Sequence, residues 1–413
     1  MRILLLNQFY PPDVAPTGQV LHDLACMLVE RGHEVHVVCS RRSYDGGRYY
    51  AARESVDGVR IHRLPALGFG RENLLGALGD YASFHALLAV KVLAALPRPD
   101  VALALTTPPY VGLVAAACGR LRGTAQAHWI MDVYPDVMAA HGLTQPRGLA
   151  YRVLSAITRR QFRNADLMLA LGPFMARRLD AYAGARHAEW VPLWGETSSG
   201  EIGREGVDRL RGERGWKTED LVLMYSGNMG LGHRFGEFLA AADRLGAKGP
   251  VWAFAGGGKR RGEIESFAAA HPGARIQLLP YVPRESLAMS LSTADVHLVS
   301  LSRPWQGLIV PSKIQGIFSV GRPAILVGPR ENEVAAWIQE SGGGWIVEED
   351  DVTGLLAAVA QAGDAAERQR RGSAALAYAR VHFDRRRNCE QIAGLLERCV
   401  GRTAFSEQRR SLV

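Results

Sequence analysis

Apolar residues recur along the chain in two alternating patterns, which together predict β-strands joined by helices. Short runs of consecutive apolar residues are typical of parallel strands that are buried on both faces of a sheet. Between them lie segments with an apolar residue every three or four positions, which predict crossover helices. The alternation favours an α/β fold with doubly wound sheets. The predicted strands of the first half are Arg2–Leu6, Glu34–Cys39, Val59–Leu64, Val101–Leu105, Ala125–Met131, Leu167–Ala170 and Glu189–Val191.

The first helix shows how the pattern also predicts where an element begins and ends. Thr17 is a good N-cap, and Gly32 follows Arg31 as a C-terminal stop. One apolar stripe joins the two ends, formed by Val20, Leu21, Leu24, Leu28 and Val29.

The strand pattern stops after Val191 and begins again about thirty residues later, which predicts two domains. Residues 193–205 carry Gly, Ser, Thr and Glu without periodicity and are predicted to be a linker. We therefore predict Rossmann-like domains over residues 1–192 and 206–385 that face a cleft, then a C-terminal helix and tail over 386–413 that frays from Gly401. The predicted strands of the second domain are Leu221–Tyr225, Val251–Ala255, Arg275–Leu279, Val296–Leu301, Ala324–Val327 and Trp345–Val347.

Composition and charge narrow the possible partners. The 413 residues carry 49 basic and 41 acidic side chains, a net charge of +8, which favours an anionic partner. No zinc finger, RNA-binding aromatic motif or long basic run is present, so we expect no nucleic-acid partner. The five cysteines have no zinc-ligand spacing, and no apolar stretch is long enough for a signal peptide or a membrane span. A cytoplasmic location is predicted.

The segment Gly307–Pro323 is the most informative part of the chain. Its helix is predicted to start at Ser312, as N-cap, just after the strand Val296–Leu301. Free N–H groups at such a start favour an anion, and Lys313 adds a positive charge. We therefore predict a phosphate site there; the alternative is an ordinary capped helix with a solvent-exposed lysine.

Two glycine-rich strand ends add further candidates for phosphate contacts. The first follows the strand Leu221–Tyr225 and allows close approach of a ligand to the backbone; its candidate residues are Gly227, Asn228, Gly230, His233 and Arg234. The second is AGGGKRR after Val251–Ala255, with Lys259 as the candidate. Ordinary turns are the alternative for both segments.

In the first half, polar side chains follow two predicted strands. His128 and Asp132 in QAHWIMDVYPD are candidates for positioning a substrate or transferring a proton, with a buried core histidine as the alternative for His128. Thr17 and Gly18, after the proline-rich loop YPPDVAP, could bind a phosphate of donor or acceptor; a merely rigid loop is the alternative.

The sequence has no motif for metal binding or for acyl hydrolysis. No Asp-x-Asp pair lies at a strand end and no His/Cys/Asp cluster has ligand spacing, so no metal or other cofactor is expected. No Gly-x-Ser-x-Gly elbow is present, which disfavours acyl hydrolysis. The segment Gly68–Leu96 is apolar and has Arg71 and Lys91 near its two ends. It could be a helix that lies in a membrane interface or a crossover helix that packs on the sheet.

Read together and in order, these segments resemble glycosyltransferase family 4 of the GT-B fold, in its bacterial surface-polysaccharide branch. The resemblance covers nearly the whole chain. The matching segments are NQFYPPD with TG, LVERGHEVHVV, LTTPP, MDVYPD, YSGNMG, LPYVPRESLAMSLSTADVHLVSL and VPSKIQGIFSVGRP.

The resemblance implies a nucleotide-sugar donor, UDP- or GDP-linked, that the second domain binds without a metal. Its base would lie near Tyr281 and Val282, and its ribose and diphosphate near Ser312, Lys313 and the Gly227–Gly230 loop. It also implies a retaining reaction in which the leaving phosphate helps to deprotonate the acceptor. The acceptor would be a lipid-linked saccharide at an anionic membrane surface, with the protein peripheral on the inner face of the plasma membrane.

The chain departs from the family pattern at several positions. Leu308 and Gly316 stand where many members have a Glu-x7-Glu pair. The Arg and Lys that usually clamp the diphosphate fall near Asn228 and His233, and Met131 takes the place of the first-domain histidine. Two other hypotheses therefore stay open beside sugar transfer, a nucleotide-sugar epimerase of the same fold and a catalytically silent partner of a transferase. The donor base and sugar, the acceptor, the linkage and the oligomeric state do not follow from the sequence.

Overall fold

A computed structural model describes residues 1–44, 47–65, 74–184, 187–195 and 203–410. The side chains of residues 74, 75, 77, 78 and 402–410 are outside the described part. The chain forms two compact units, one of Met1–Val191 with Arg386–Val413 and the other of Pro192–Arg385. The C-terminal helix thus belongs to the first unit, where the sequence had suggested a separate tail.

The first unit is built around an eight-stranded sheet in the order β3-β4-β2-β1-β5-β6-β7-β8, parallel except for the β3–β4 pair. Its strands are β1 (Arg2–Leu6), β2 (Glu34–Ser40), β3 (Arg53–Val56), β4 (Val59–Leu64), β5 (Val101–Ala104), β6 (Ala125–Trp129), β7 (Leu167–Ala170) and β8 (Glu189–Trp190). Its helices are α1 (Pro16–Glu30), α2 (Leu74–Val90) with a π-helical turn at Lys91–Ala95, α3 (Gly112–Arg122), α4 (Asp136–Ala140), α5 (Leu149–Arg163) and α6 (Pro173–Ala183).

The second unit has a six-stranded, all-parallel sheet in the order β11-β10-β9-β12-β13-β14. Its strands are β9 (Val222–Ser226), β10 (Val251–Ala255), β11 (Ile276–Leu279), β12 (Val296–Ser300), β13 (Ala324–Val327) and β14 (Gly344–Val347). Its helices are α7 (Arg204–Glu213), α8 (Gly236–Leu245), α9 (Arg261–Ala270), α10 (Arg284–Ser292), α11 (Lys313–Ser319), α12 (Glu333–Ser341), α13 (Val352–Ala362) and α14 (Ala365–His382); α15 (Arg385–Arg410) ends the described chain.

Each sheet has a switch point, where the order of its strands along the chain reverses. The candidate sites are expected at these points. Chain order reverses between β1 and β5 in the first sheet and between β9 and β12 in the second. Ligands of doubly wound sheets bind outside the carboxyl ends of the strands at such a switch point. The predicted α/β class with two parallel-sheet domains is confirmed.

The apolar strands predicted from the sequence form the cores of both units. Trp252, Phe254 and Leu298 are fully buried on β10 and β12 and pack against α8 and α13. Phe84 and Leu88 of α2 pack in the same core cluster as Leu4 and Ala102. The segment Gly68–Leu96 is therefore a crossover helix over its described side chains, and the membrane-interface interpretation is wrong for them; Phe69 and Arg71 lie outside the described residues.

Several elements differ from the sequence predictions. The first helix begins at Pro16 with Ala15 as N-cap, because proline suits the first helical position, so Thr17 is not the cap. Helix α7 begins at Arg204, inside the predicted linker, of which residues 196–202 lie outside the described part. The helix α15 continues to Arg410 instead of fraying at Gly401. The short antiparallel strand β3 is not among the predictions.

No helix in the described part of the chain is both long enough and apolar enough to cross a bilayer.

Candidate functional site

Two glycine-rich loops meet at the carboxyl edge of the second sheet. The Gly227 amide donates to the carbonyl of Ala255 over 2.9 Å, and the Met229 amide donates to the carbonyl of Gly257 over 2.6 Å. Gly256 has a φ of +124°, and a Cβ there would lie 2.3 Å from the carbonyl oxygen of Gly227. Only glycine permits this approach, so the backbones after β9 and β10 form one surface at the switch point.

Lys313 reaches this surface from the start of α11. Its Nζ atom is buried and lies 3.4 Å from the centre of the Tyr225 ring, and a Cβ on Gly227 would lie 3.8 Å from it. Within the described part of the chain, the ammonium has no hydrogen-bond partner. Burial lowers the pKa of Lys313 well below its ordinary value. The side chain therefore presents an unpaired amino group to the glycine loops, and the solvent-exposed lysine considered from the sequence is wrong.

Ser312 stands at the N-cap position of α11, but its hydroxyl makes no capping hydrogen bond. Its backbone is already helical, with φ of −70° and ψ of −4°, whereas a capping serine normally has an extended backbone. The predicted capping role of Ser312 is therefore wrong, although its exposed side chain stays beside Lys313.

His233 and Arg234 are held by protein groups. The Nδ1 atom of His233 lies 2.7 Å from the carbonyl oxygen of Ser300, and burial with the nearby Lys313 charge lowers the pKa of His233 to about 3. The ring is neutral at physiological pH. The Arg234 guanidinium pairs with Glu237 and Asp350. Both residues thus link the loop after β9 to its neighbours.

The other residues predicted to bind the donor differ in their exposure and in their contacts with the two glycine-rich loops. Asn228 is exposed, and its carbonyl accepts a hydrogen bond of 2.8 Å from Tyr225. The hydroxyl of Tyr281 donates to the carbonyl of Gly257 over 3.4 Å while the residue stays 60% exposed, which leaves an aromatic face open. Gly230 and Lys259 lie on the two loops and are half-buried and exposed, respectively. Val282 lies after β11 and is half-buried.

In the first unit, His128 and Asp132 line one small cavity at the carboxyl end of β6. His128 is buried, and its Nδ1 atom lies 3.3 Å from the Gln161 amide nitrogen. Burial lowers the pKa of His128 to about 4, so the ring is neutral. The backbone amide of Asp132 donates to the hydroxyl of Thr106 over 3.2 Å. The sequence missed two other residues of the wall, Gln161 from α5 and Tyr110 from the turn before α3, because their side chains approach β6 only in the fold.

Loss of solvent in the cavity wall raises the pKa of Asp132 to about 6. Below pH 3.8 the carboxyl is protonated in both the folded and unfolded chain; above about pH 6 it is ionised in both. Between these values only the folded state keeps the proton, so the free energy of unfolding should fall by about 1–2 kcal/mol as pH rises from 4 to 6. Denaturant titration across this range should show the fall in the wild type and a smaller one in Asp132→Asn. Equal slopes in both proteins would contradict the shift.

Thr17 and Gly18 lie at the start of α1 beside the switch point of the first sheet. The Thr17 hydroxyl accepts a hydrogen bond of 3.3 Å from the Asn7 amide. A Cβ on Gly18 would lie 3.0 Å from the carbonyl of Phe9. Gly18 therefore lets the helix pack closely on the loop after β1, which is a structural reason for glycine there.

One cluster corrects the statement that no His/Cys/Asp group has ligand spacing. The ligand atoms of His22, Cys26 and Asp57 all lie within 4.8 Å of one another. His22 and Cys26 are one helical turn apart on α1, a spacing that the sequence shows; Asp57 comes from the turn between β3 and β4.

Comparisons with known proteins agree with this architecture. Residues 17–194 match the family model described as "Glycosyl transferase 4-like domain". The putative colanic acid biosynthesis glycosyl transferase WcaI of Escherichia coli strain K12 is 24% identical over 378 residues, which is 88% of this chain and 92% of WcaI.

Solved structures show the same fold over nearly the whole chain. Sucrose-phosphate synthase from Thermosynechococcus elongatus superposes with a TM-score of 0.78 at 14% identity, covering 96% of this chain and 98% of the synthase. HepE of Anabaena, solved with UDP and glucose, superposes with a TM-score of 0.69 at 14% identity, covering 96% of this chain and 99% of HepE. With its two doubly wound sheets, the chain has the GT-B fold, and its residues 17–194 are similar to a glycosyl transferase 4-like domain.

Proposed function

We propose that this glycosyltransferase takes a sugar from a nucleotide-sugar donor and gives it to a lipid-linked saccharide in surface-polysaccharide synthesis. The donor diphosphate would bind at the carboxyl edge of β9 and β12. The observation that carries the proposal is the buried, unpaired amino group of Lys313 beside Gly227. The name of WcaI supports the pathway class, and the UDP bound to HepE supports the donor class.

A bound anion would stabilise the buried side chain of Lys313. Burying an ammonium without a hydrogen-bonding partner costs several kcal/mol, and the Tyr225 ring offsets about 1–2 kcal/mol of this. A diphosphate beside Gly227 would supply the missing acceptor and opposite charge. The side chain is therefore more consistent with a binding protein than with a silent partner.

The same cation would assist the chemical step. Negative charge builds on the diphosphate as the glycosidic bond to the sugar breaks, and a preorganised cation lowers the energy of that state. Lys313 and the backbone amides after β9 would replace a metal in this role. In a retaining reaction the leaving phosphate would accept the proton of the acceptor hydroxyl, with Asp132 and His128 positioning the acceptor in the first unit.

Product analysis tests the activity itself. The chain would be incubated with radiolabelled UDP- and GDP-sugars, with and without lipid extract from bacterial membranes. Transfer of label to lipid only when extract is present supports the proposal. Conversion of the donor sugar without extract would indicate the epimerase, and no conversion together with no donor binding would indicate the silent partner.

Donor binding should be linked to proton uptake. An anion beside Lys313 favours its charged form, so the pKa of Lys313 rises from its lowered value when a diphosphate binds. Wherever pH lies between the free and bound pKa values, the complex takes up a proton, and affinity falls as pH rises. Calorimetry with UDP in two buffers of different ionisation enthalpy should show this uptake in the wild type and lose it in Lys313→Met. Equal enthalpies in both buffers at every pH from 6 to 9 would contradict the linkage.

Helix α5 offers a surface for an anionic membrane. The segment His141–Asn164 carries five arginines and no acidic residue. Leu143, Leu149 and Val153 are 60%, 79% and 51% exposed. Exposed apolar side chains among arginines are typical of a helix that lies in a membrane interface. We place the peripheral contact with the inner face of the plasma membrane here.

Reversing two charges on this surface should weaken membrane binding. Each basic residue near an anionic surface contributes about 1 kcal/mol, so Arg152→Glu with Arg160→Glu should lower the affinity for phosphatidylglycerol vesicles at least roughly tenfold. Vesicle co-sedimentation measures the change. The control is Arg204→Glu with Arg209→Glu on α7, which alters net charge equally at side chains that are 92% and 78% exposed. Equal losses in both double variants would show a general charge effect and contradict this placement.

A further inference from the structure

Three different metal-ligand side chains converge at the surface of the first unit. His22 and Cys26 come from successive turns of α1, and Asp57 comes from the two-residue turn between β3 and β4. The Nε2 atom of His22 lies 3.4 Å from an Asp57 carboxylate oxygen and 3.6 Å from the Cys26 sulfur. The side chains of His22 and Asp57 are 22% and 62% exposed, so an ion can reach them from solvent.

We propose that His22, Cys26 and Asp57 bind one Zn²⁺ ion, with water as the fourth ligand. A thiolate, an imidazole and a carboxylate form a donor set typical of zinc. Ligand atoms around tetrahedral zinc are about 3.3–3.6 Å apart, as follows from metal–ligand bonds of about 2.0–2.3 Å. The two measured separations from His22 match this spacing. The half-buried and exposed side chains can turn their lone pairs toward a common ion.

A second interaction orients the imidazole for this role. The hydroxyl of Tyr10 lies 3.0 Å from Nδ1 of His22, on the side of the ring away from Asp57. When Nδ1–H donates to the tyrosine oxygen, the lone pair of Nε2 is free for a metal. Zinc-bound histidines usually have such a partner on their other nitrogen. Tyr10 is itself 2% exposed, so its ring is held in place.

The site would have a structural consequence. Asp57 has a φ of +49° at the tip of the β3–β4 hairpin, and an ion would tie this hairpin to α1. Binding to the folded chain alone would raise its stability. The proposal is independent of the donor site at Lys313, which lies in the other unit.

Cobalt titration of the full, tag-free chain in a non-thiol reductant tests the site. We expect one equivalent of Co²⁺ to bind, with a thiolate-to-cobalt charge-transfer band, and equimolar Zn²⁺ to displace it. Cys26→Ser should abolish the band, and Asp57→Asn and Tyr10→Phe should each weaken affinity roughly tenfold or more. The control is Cys118→Ser, which removes a different thiol of the same unit and should leave the titration unchanged.

Either of two results would overturn the proposal. One is no saturable binding of Co²⁺ or Zn²⁺ by the wild type at micromolar concentrations. The other is an unchanged band in Cys26→Ser. If Cys26→Ser does not fold by circular dichroism, the exposed Asp57→Asn variant decides, because a metal affinity equal to the wild type would exclude Asp57 and with it the three-ligand site.

Discussion

Lys313→Met is expected to weaken binding of a nucleoside diphosphate about 100-fold, or ~3 kcal/mol, and to lower sugar transfer accordingly. Methionine keeps the length and packing of the side chain but removes the amino group that faces Gly227 and that becomes charged beside a diphosphate. Because the free protein buries the Lys313 amino group without a hydrogen-bond partner in its described part, the free energy of unfolding should stay unchanged or rise. Affinity and stability should thus change independently.

Isothermal calorimetry with UDP and GDP and denaturant unfolding measure the two quantities. The matched control is Lys248→Met, an exposed lysine just before β10 and therefore at the amino edge of the same sheet. It should bind like the wild type. A Lys313→Met affinity within threefold of the wild type would contradict the role of the ammonium.

Gly256→Ala is expected to lower the free energy of unfolding of the chain by about 2–4 kcal/mol. The new Cβ would lie 2.3 Å from the carbonyl oxygen of Gly227, and φ at this position is +124°. Both loops would have to separate, so the affinity for UDP should also fall at least roughly tenfold, as positioned amides lose their geometry.

Gly262→Ala is the control for this effect. Gly262 lies in α9, and a Cβ there meets nothing within 4 Å in the described structure. Alanine favours a helix more than glycine, so this variant should be as stable as the wild type or more stable by up to about 1 kcal/mol. Thermal and denaturant unfolding of both variants provide the comparison. A Gly256→Ala protein as stable as Gly262→Ala would show that the close approach of the loops is wrong.

Buried strands could be predicted from the sequence because burial requires a run of apolar residues. Every predicted strand is present, because runs such as Val251–Ala255 are apolar on both faces and leave few alternatives. Strand β3 was missed because its sequence RESV is mostly polar and exposed at a sheet edge. The Asp57–Gly58 pair could have indicated this hairpin, since Asp-Gly is typical of two-residue hairpin turns. Both residues have positive φ in the turn between β3 and β4.

Side-chain environments were harder to predict than strands. The sequence placed Lys313 near a glycine loop, but its amino group packs on the ring of Tyr225, 88 positions earlier. Arg234 looked available for a phosphate, but it pairs with Glu237, three positions later, and with Asp350, which is distant in sequence. The His22 cluster was missed for the same reason, since its third member comes from the unpredicted hairpin.

Crystallisation of the chain with UDP or GDP would locate the donor diphosphate. We expect the diphosphate within hydrogen-bonding distance of Lys313 Nζ and of the backbone amides that follow Gly227. A nucleotide bound in the crystal with its phosphates elsewhere, and with Lys313 still packed on Tyr225 and unpaired, would contradict this expectation.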